Sequence, residues 1–308
     1  MHEQLSSELQ SIIPFEKIRQ VETIQSLWSG YGSLLRVWLQ DGKHESVVVK
    51  RISAPSIQSH PRGWHSDIGH ERKLKSYLIE QHWYEHYNQF TNKNCRTAAF
   101  LGSRVFDTHS ILVLEDLDQS GFIQRKGRLS NLEIKSCLSW LAHFHGQFML
   151  NEAEGLWPIG TYWQFDTRPM EWKAMPEGAL KRYAQQIHEQ LNNAKYKTIV
   201  HGDAKYANFC FSITGEVAAV DFQYVGKGCG IKDVVYLLSC IDGGIASNLE
   251  LEEFLTHYFK ELEQALPKAM KSDFNEIEKE WRALYPFAWA DFERFLAGWA
   301  PGHWKLSK

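Results

Sequence analysis

VHGDAKYANFCF, residues 200–211, gathers a His, a Gly, an Asp, a Lys and an Asn, then returns at once to strand-forming residues. Polar groups at the end of an apolar run cost stability unless they are satisfied or used. Two readings are open. The stretch is a polar β-turn whose Asp and Asn cap local backbone groups, or it is a reaction centre. The residues just downstream separate the two. FCFS, 209–212, reads as a strand, 213–216 as a turn around Gly215, and VAAVDF, 217–222, as a returning strand. That hairpin brings Asp221 back beside Asn208. Two oxygen ligands from different segments then meet at one end of one hairpin, with Asp203 in the loop before them.

Phosphoryl transfer needs these parts. A carboxylate accepts or orients the proton of the acceptor hydroxyl, metal ions neutralise phosphate oxygens, and a cation holds the nucleotide phosphates. An amide oxygen and a carboxylate suit Mg²⁺, which keeps several waters and uses few protein groups.

H-G-D-x-x-x-x-N followed by an apolar-D-F triplet resembles the catalytic-loop and metal-loop pattern of the protein-kinase-like fold. The Gly after His points to its small-molecule branch, the aminoglycoside phosphotransferases and choline kinases. VDFQ at 220–223, LVLEDL at 112–117 and GKGCGIKDVVYLL at 226–238 resemble the ecdysteroid-kinase-like subgroup. The resemblance spans roughly residues 25–300. It implies an α+β, bilobal fold: a β-rich N-terminal lobe over 1–117, a helix-rich C-terminal lobe over 118–308, and an active site in the cleft. It implies ATP and Mg²⁺ as cofactors. Residue by residue, it implies Asp203 as the catalytic base and Asn208 and Asp221 as metal ligands. His201 would brace the loop. Lys205 would touch the transferring phosphate, at a position where many small-molecule kinases carry His. Asp233 would tie the loop to the following helix.

The nucleotide half lies upstream. VVVK, 47–50, ends an apolar strand in Lys50, which a kinase uses on the α and β phosphates, held by a Glu from the next helix. The helical stretch HERKLKSYLIEQHWYEHY, 70–87, offers Glu71 and Glu80. Family members often place an aromatic pair three and four residues after that Glu. Glu80, followed by Trp83 and Tyr84, fits this and is the expected partner. SGYGS, 29–33, supplies Gly30 and Gly32 where a Gly-rich loop would cover phosphates. Leu35 stands at the third Gly position, so a plain hairpin turn remains open. Residues 112–117 are the expected strap between lobes, with Glu115, Asp116 and Leu117 as candidates near the adenine.

Composition narrows the rest. The chain has 308 residues, 44% hydrophobic, enough for one large core or two lobes. Its 34 basic and 37 acidic residues leave a net charge of −3, which argues against a dedicated nucleic-acid or anionic-membrane binder. The five cysteines, Cys95, Cys137, Cys210, Cys229 and Cys240, form no C-x-x-C pair. They read as reduced, buried thiols of a cytoplasmic protein. The N-terminus lacks a signal-peptide h-region, and no stretch approaches the ~20 apolar residues of a membrane span.

Two aromatic clusters, 156–172 and 281–304, stand where an acceptor would bind. The first reads as an ordered loop. In the second, Trp281, Tyr285, Trp289, Phe292 and Leu296 share a helix face, and core packing is expected. Asp291 and Glu293, on other faces, are expected at the solvated surface. His145 in LAHFHG, 141–146, is expected to pack structurally, since no further His or Cys stands at zinc spacing.

The sequence therefore predicts an ATP-dependent kinase acting on a hydroxyl of a small molecule. No polar activation segment separates the D-F pair from the next helix, which disfavours a protein acceptor. The competing reading is a catalytically silent, nucleotide-binding regulatory protein. Its signature would be loss of the base or a metal ligand, and Asp203, Asn208 and Asp221 are all present. The acceptor and the oligomeric state are open.

Overall fold

The computed structural model describes residues 2–27, 30–53, 67–241, 244–245 and 247–300. The architecture is α+β, with sheet in the first part and helix in the second. Helix α1 (His2–Gln10) precedes strands β1 (Lys17–Ser26), β2 (Gly32–Gln40) and β3 (Ser46–Ile52). Helix α2 (Asp67–His86) follows, then β4 (Arg96–Thr97), β5 (Phe100–Val105) and β6 (Ser110–Glu115). Five strands form one antiparallel sheet in the order β1-β2-β3-β6-β5. Asp41-Gly42 between two β-rich runs is a strong hairpin signal in the sequence, and the β2–β3 turn forms there, with Asp41 at φ 52°. Asp tolerates that left-handed geometry better than most residues.

Side chains alternate across a strand, and this sorts the sheet's two faces. Val37, Val47, Val49, Ile111 and Val113 point to one side, where Leu5 and Leu9 of α1 cover them. Helix α1 is an element that the sequence patterning does not announce. Leu112 and Leu114 point the other way, into the core built by Ile79, Trp83 and Tyr84 of α2. Lys50 shares this second face, so its strand position aims it at α2.

Helix α3 (Asn131–Gln147) opens the second part, with Ser130 and Glu133 closing a capping box. Short helices α4 (Pro169–Ala174), α5 (Ala179–Arg182) and α6 (Ala184–Asn192) come next. The expected loop over 157–172 is thus irregular only until a 3₁₀ turn at Phe165–Thr167 and the start of α4. Strands β7 (Thr198–Val200), β8 (Phe209–Phe211), β9 (Val217–Ala219) and β10 (Gly226–Gly228) are short. The β8–β9 hairpin takes β4 as a third, parallel strand, and β7 pairs antiparallel with β10. Helices α7 (Ile231–Ser239), α8 (Asn248–Ala265) and α9 (Phe274–Trp299) complete the chain.

On α9, Trp281 and Phe292 are buried core residues, and Tyr285, Trp289 and Leu296 pack partly against them. Residues 301–304 of that aromatic cluster lie outside the described residues. One expectation is corrected. Asp291 is not at the surface but buried, accepting from Trp163 Nε1 at 3.0 Å and from Arg294 Nη2 at 2.7 Å. The indole and the guanidinium satisfy a carboxylate that helix spacing alone assigns to solvent. His145 packs as expected, bonded to Tyr258 and Asp233. Four cysteines are buried, and burial pushes the Cys95 and Cys210 thiols up to about 11. Among the described residues, no helix is long and apolar enough to cross a membrane.

Gly32 sits at φ 127°, and a Cβ there would stand 2.0 Å from the Arg51 carbonyl oxygen. Gly32→Ala must therefore spread the β2–β3 pair. We expect a loss of roughly 2 kcal/mol or more in urea unfolding. Gly30→Ala, whose Cβ meets nothing within 4 Å, should cost less.

Candidate active site

Asp233 organises the site from the first turn of α7. Its carboxylate is fully buried and accepts from the His201 N–H at 2.6 Å and the Gly202 N–H at 2.9 Å. His145 Nε2 donates to it at 3.1 Å. These bonds hold the chain as it leaves β7. Gly202 has φ 80°, and a Cβ there would meet the Tyr224 carbonyl oxygen at 2.1 Å, so the loop needs glycine here. His201 is buried, and burial pushes its pKa down. The neutral ring donates from Nε2 to the Val220 carbonyl at 3.0 Å and accepts the Asp203 N–H at Nδ1, 3.2 Å.

This fixes Asp203, which is 4% exposed. Its Oδ2 accepts from Lys205 Nζ at 2.9 Å and from Asn208 Nδ2 at 3.0 Å. Asn208 Nδ2 also donates to the Asp203 carbonyl at 2.8 Å. The amide therefore presents Oδ1 away from Asp203. The Val220 N–H donates to the Asn208 carbonyl at 3.0 Å, which joins this loop to the segment carrying Asp221. That segment leaves the ladder early. β9 ends at Ala219, and Asp221 takes φ 69°, an uncommon conformation for a residue with a side chain.

Asp221 Oδ1 accepts from Lys50 Nζ at 3.3 Å and from Gln223 Nε2 at 2.7 Å. Lys50 Nζ also donates to Glu80 Oε2 at 2.6 Å. So Lys50 pairs with Glu80, while Glu71 is exposed on the same helix. Burial opposes the Lys50 charge, but Glu80 and Asp221 outweigh it and raise the pKa. Burial likewise opposes ionisation of Asp221. The ammoniums of Lys50, Lys205 and Lys73 win, and hold its carboxyl at about 2. At neutral pH the site thus carries ionised Asp221 beside a charged Lys50.

The remaining candidates hydrogen-bond to residues other than these. Gly30 lies in the turn before β2 with φ 77°, and Gly32 begins β2. In the strap, Glu115 is engaged by Arg96, by Ser120 and by the Ala99 N–H at 2.8 Å. Asp116 is buried against Arg36 Nε at 2.7 Å and Ser46 Oγ at 2.6 Å. Leu117 is buried, and its carbonyl accepts the Ser120 and Phe122 N–H groups. The side chains of the strap thus hold the strap itself in place.

Sequence reasoning missed Lys73, Tyr77 and Gln223. Lys73 Nζ donates to Gln223 Oε1 at 2.7 Å and lies 4.6 Å from the Tyr77 ring centre. Lys73, Tyr77 and Glu80 are spaced to share one face of α2, the face turned to Asp221. The available signal was that spacing, in KLKSYLIE.

Residues 163–270 match the model of the ecdysteroid kinase-like family. No curated protein matches the chain at the sequence level. Among solved structures, the macrolide 2′-phosphotransferase MphH of Brachybacterium faecium superimposes with a TM-score of 0.54 at 13% identity, covering 97% of this chain and 98% of that one. The choline kinase LicA of Streptococcus pneumoniae gives 0.53 at 13% identity, covering 100% and 99%. The fold is protein-kinase-like, as the motif resemblance implies.

Burial pushes the Lys73 ammonium from its ordinary 10.5 down to about 8. The unfolded chain therefore binds more protons than the folded one between these values, and stability rises with pH there. The penalty is complete below about pH 8 and gone above pH 10.5. Lys73→Met should raise stability at pH 7 and flatten the rise between pH 8 and 10, read by urea unfolding without nucleotide.

Proposed function

We propose that this protein is a Mg²⁺-dependent kinase that transfers the γ-phosphoryl group of ATP to a hydroxyl of a small molecule. The observation that carries it is Lys50, held at once by Glu80 at 2.6 Å and Asp221 at 3.3 Å. A buried ammonium fixed between two carboxylates is a preorganised phosphate clamp, charged before the nucleotide arrives.

The donor set fits Mg²⁺. Among the described residues, no three His, Cys, Asp or Glu side chains cluster as a metal site. Asn208 and Asp221 instead offer an amide and a carboxylate, the sparse oxygen set that leaves Mg²⁺ room for water and phosphate. When bound there, Mg²⁺ supplies charge neutralisation for the phosphate oxygens. Nucleotide binding draws support from the relative LicA, whose complex with AMP superimposes with a TM-score of 0.50.

In this reading the lobe over 1–117 holds the nucleotide and the lobe over 118–308 the acceptor. Gly30 and Gly32 lie over the phosphates, and the main chain of the 115–117 strap meets the base. Asp203 takes the proton of the acceptor hydroxyl as its oxygen bonds to the γ-phosphorus. The bond from that phosphorus to the β–γ bridging oxygen breaks, and ADP carries away that electron pair. His201 keeps the loop in register. Lys205, raised above its ordinary range by Asp203 and Asp221 against the opposing effect of burial, remains charged to meet the moving phosphoryl group. The reaction is assigned to the cytoplasm, where the buried thiols stay reduced.

The test is ADP formation from Mg-ATP with a panel of hydroxylated acceptors, wild type against Asp203→Asn. Loss of the base should slow turnover by about 10²-fold or more while nucleotide binding persists. Equal turnover by the variant removes Asp203 from its role. Mg-ATP binding without transfer to any acceptor favours the regulatory reading.

A further inference from the structure

A wall of residues packs beside the loop that carries Asp203. The Tyr162 N–H donates to the Gly202 carbonyl at 2.7 Å, and the Thr161 N–H to the Tyr224 carbonyl at 3.2 Å. These residues therefore ride on the loop that carries Asp203. The half-buried Tyr162 ring meets Tyr224 edge-on at 5.0 Å. The Arg168 guanidinium lies 4.2 Å from the Tyr162 ring centre.

Charge in this wall is not balanced. Arg168 is 3% exposed and donates to the Tyr162 carbonyl at 2.8 Å and to Glu171 Oε1 at 3.1 Å. Its Nη2 is buried with no partner. Arg72, reaching across from α2, donates to the Thr167 carbonyl at 2.6 Å. Among the described residues, no carboxylate lies within ion-pair distance of Arg72. Burial and the nearby Arg168 charge both push the Arg72 pKa down. Thr161 adds a second orphan: its buried Oγ1 has no partner, and its φ of 134° is strained for a β-branched residue.

The carboxylates around the wall are committed. Asp203 is taken by Lys205 and Asn208, Asp221 by Lys50 and Gln223, and Glu171 by Arg168. Asp166, exposed in the turn before Thr167, accepts from Gln164 Nε2 at 2.8 Å and lies 3.4 Å from His188, so a cationic acceptor would find guanidinium groups and only partnered carboxylates. An anion beside Arg72 would gain a charge-assisted hydrogen bond and relieve the repulsion between two arginines.

We infer that the acceptor is an anionic, ring-bearing alcohol, its carboxylate or equivalent oxyanion bound by Arg72 with Arg168 behind it, and its ring laid against Tyr162. This rests on the kinase reading for the fate of the hydroxyl, but the anion site stands on the wall alone. Phosphate, sulfate and carboxylate share the required chemistry, and carboxylate is the simplest probe.

The experiment uses three matched alcohols: 4-(hydroxymethyl)benzoate, its amide, and 4-(hydroxymethyl)benzylamine. Binding is measured by calorimetry with a non-hydrolysable ATP analogue and Mg²⁺, and ADP formation is followed separately with Mg-ATP. The acid should bind about tenfold or more tighter than the amide, and the amine weakest. Arg72→Gln should bring the acid to the level of its amide. Arg72→Lys, which keeps the charge, should retain part of the preference. Unchanged nucleotide affinity in both variants shows that the fold survives. The inference is overturned if the three probes bind alike or not at all, if the amine binds best, or if Arg72→Gln leaves the acid's preference intact. An acid that binds through Arg72 without ADP release upholds the anion site and counts against the kinase reading. Transfer confined to the neutral or cationic probe upholds the kinase and overturns the anion site.

Discussion

The buried carboxylate of Asp233 is the constraint on which the rest of the site depends. It takes two consecutive backbone N–H groups, those of His201 and Gly202, and a side-chain N–H from His145. A carboxylate without water needs donors of this kind, and here the donors are the loop itself. The loop over 201–208 therefore cannot shift without stranding a buried charge. From that anchor the geometry propagates: His201 to the Val220 carbonyl, Val220 to Asn208, Asn208 to Asp203.

A second constraint joins the sheet to this loop. Lys50 reaches from β3 to Glu80 on α2 and to Asp221 after β9. Three elements far apart in the chain thus share one ammonium. The pair is buried, and breaking it by removing one partner leaves an uncompensated charge. Lys73 and Gln223 extend the same network from α2 to the D-F-Q segment. The D-F-Q glutamine is thus tied to both Asp221 and α2, which gives that position a physical task that a glycine could not perform.

The segment around Tyr162 and Arg168 is built differently. Its wall is aromatic and cationic, and its polar groups are incompletely matched, as with Arg168 Nη2 and Thr161 Oγ1. Around the buried ammonium, by contrast, Lys50, Glu80 and Asp221 each have a partner of opposite sign. The ion pairs around Lys50 are preorganised, and the buried hydroxyl of Tyr77 beside them also lacks a partner.

Much of this was legible in the sequence by itself. The spacing of His201, Asp203, Asn208 and Asp221 specified a hairpin with oxygen groups at one end, because a two-strand return has few lengths that close. The β-rich runs on either side of Asp41-Gly42 specified the β2–β3 hairpin. The fold class followed from motif resemblance. Glu80 was separable from Glu71 only by its aromatic neighbours, and the structure pairs it with Lys50. What only the tertiary structure decided depends on contacts between distant segments. Asp291 looked solvated because helix spacing cannot know that Trp163, 128 residues away, will bury it. The Arg72 contact with Thr167 spans 95 residues, and no local pattern encodes a charge balance assembled across such a distance. Periodicity reports the face a residue occupies, and the partner waiting on that face is set by the fold.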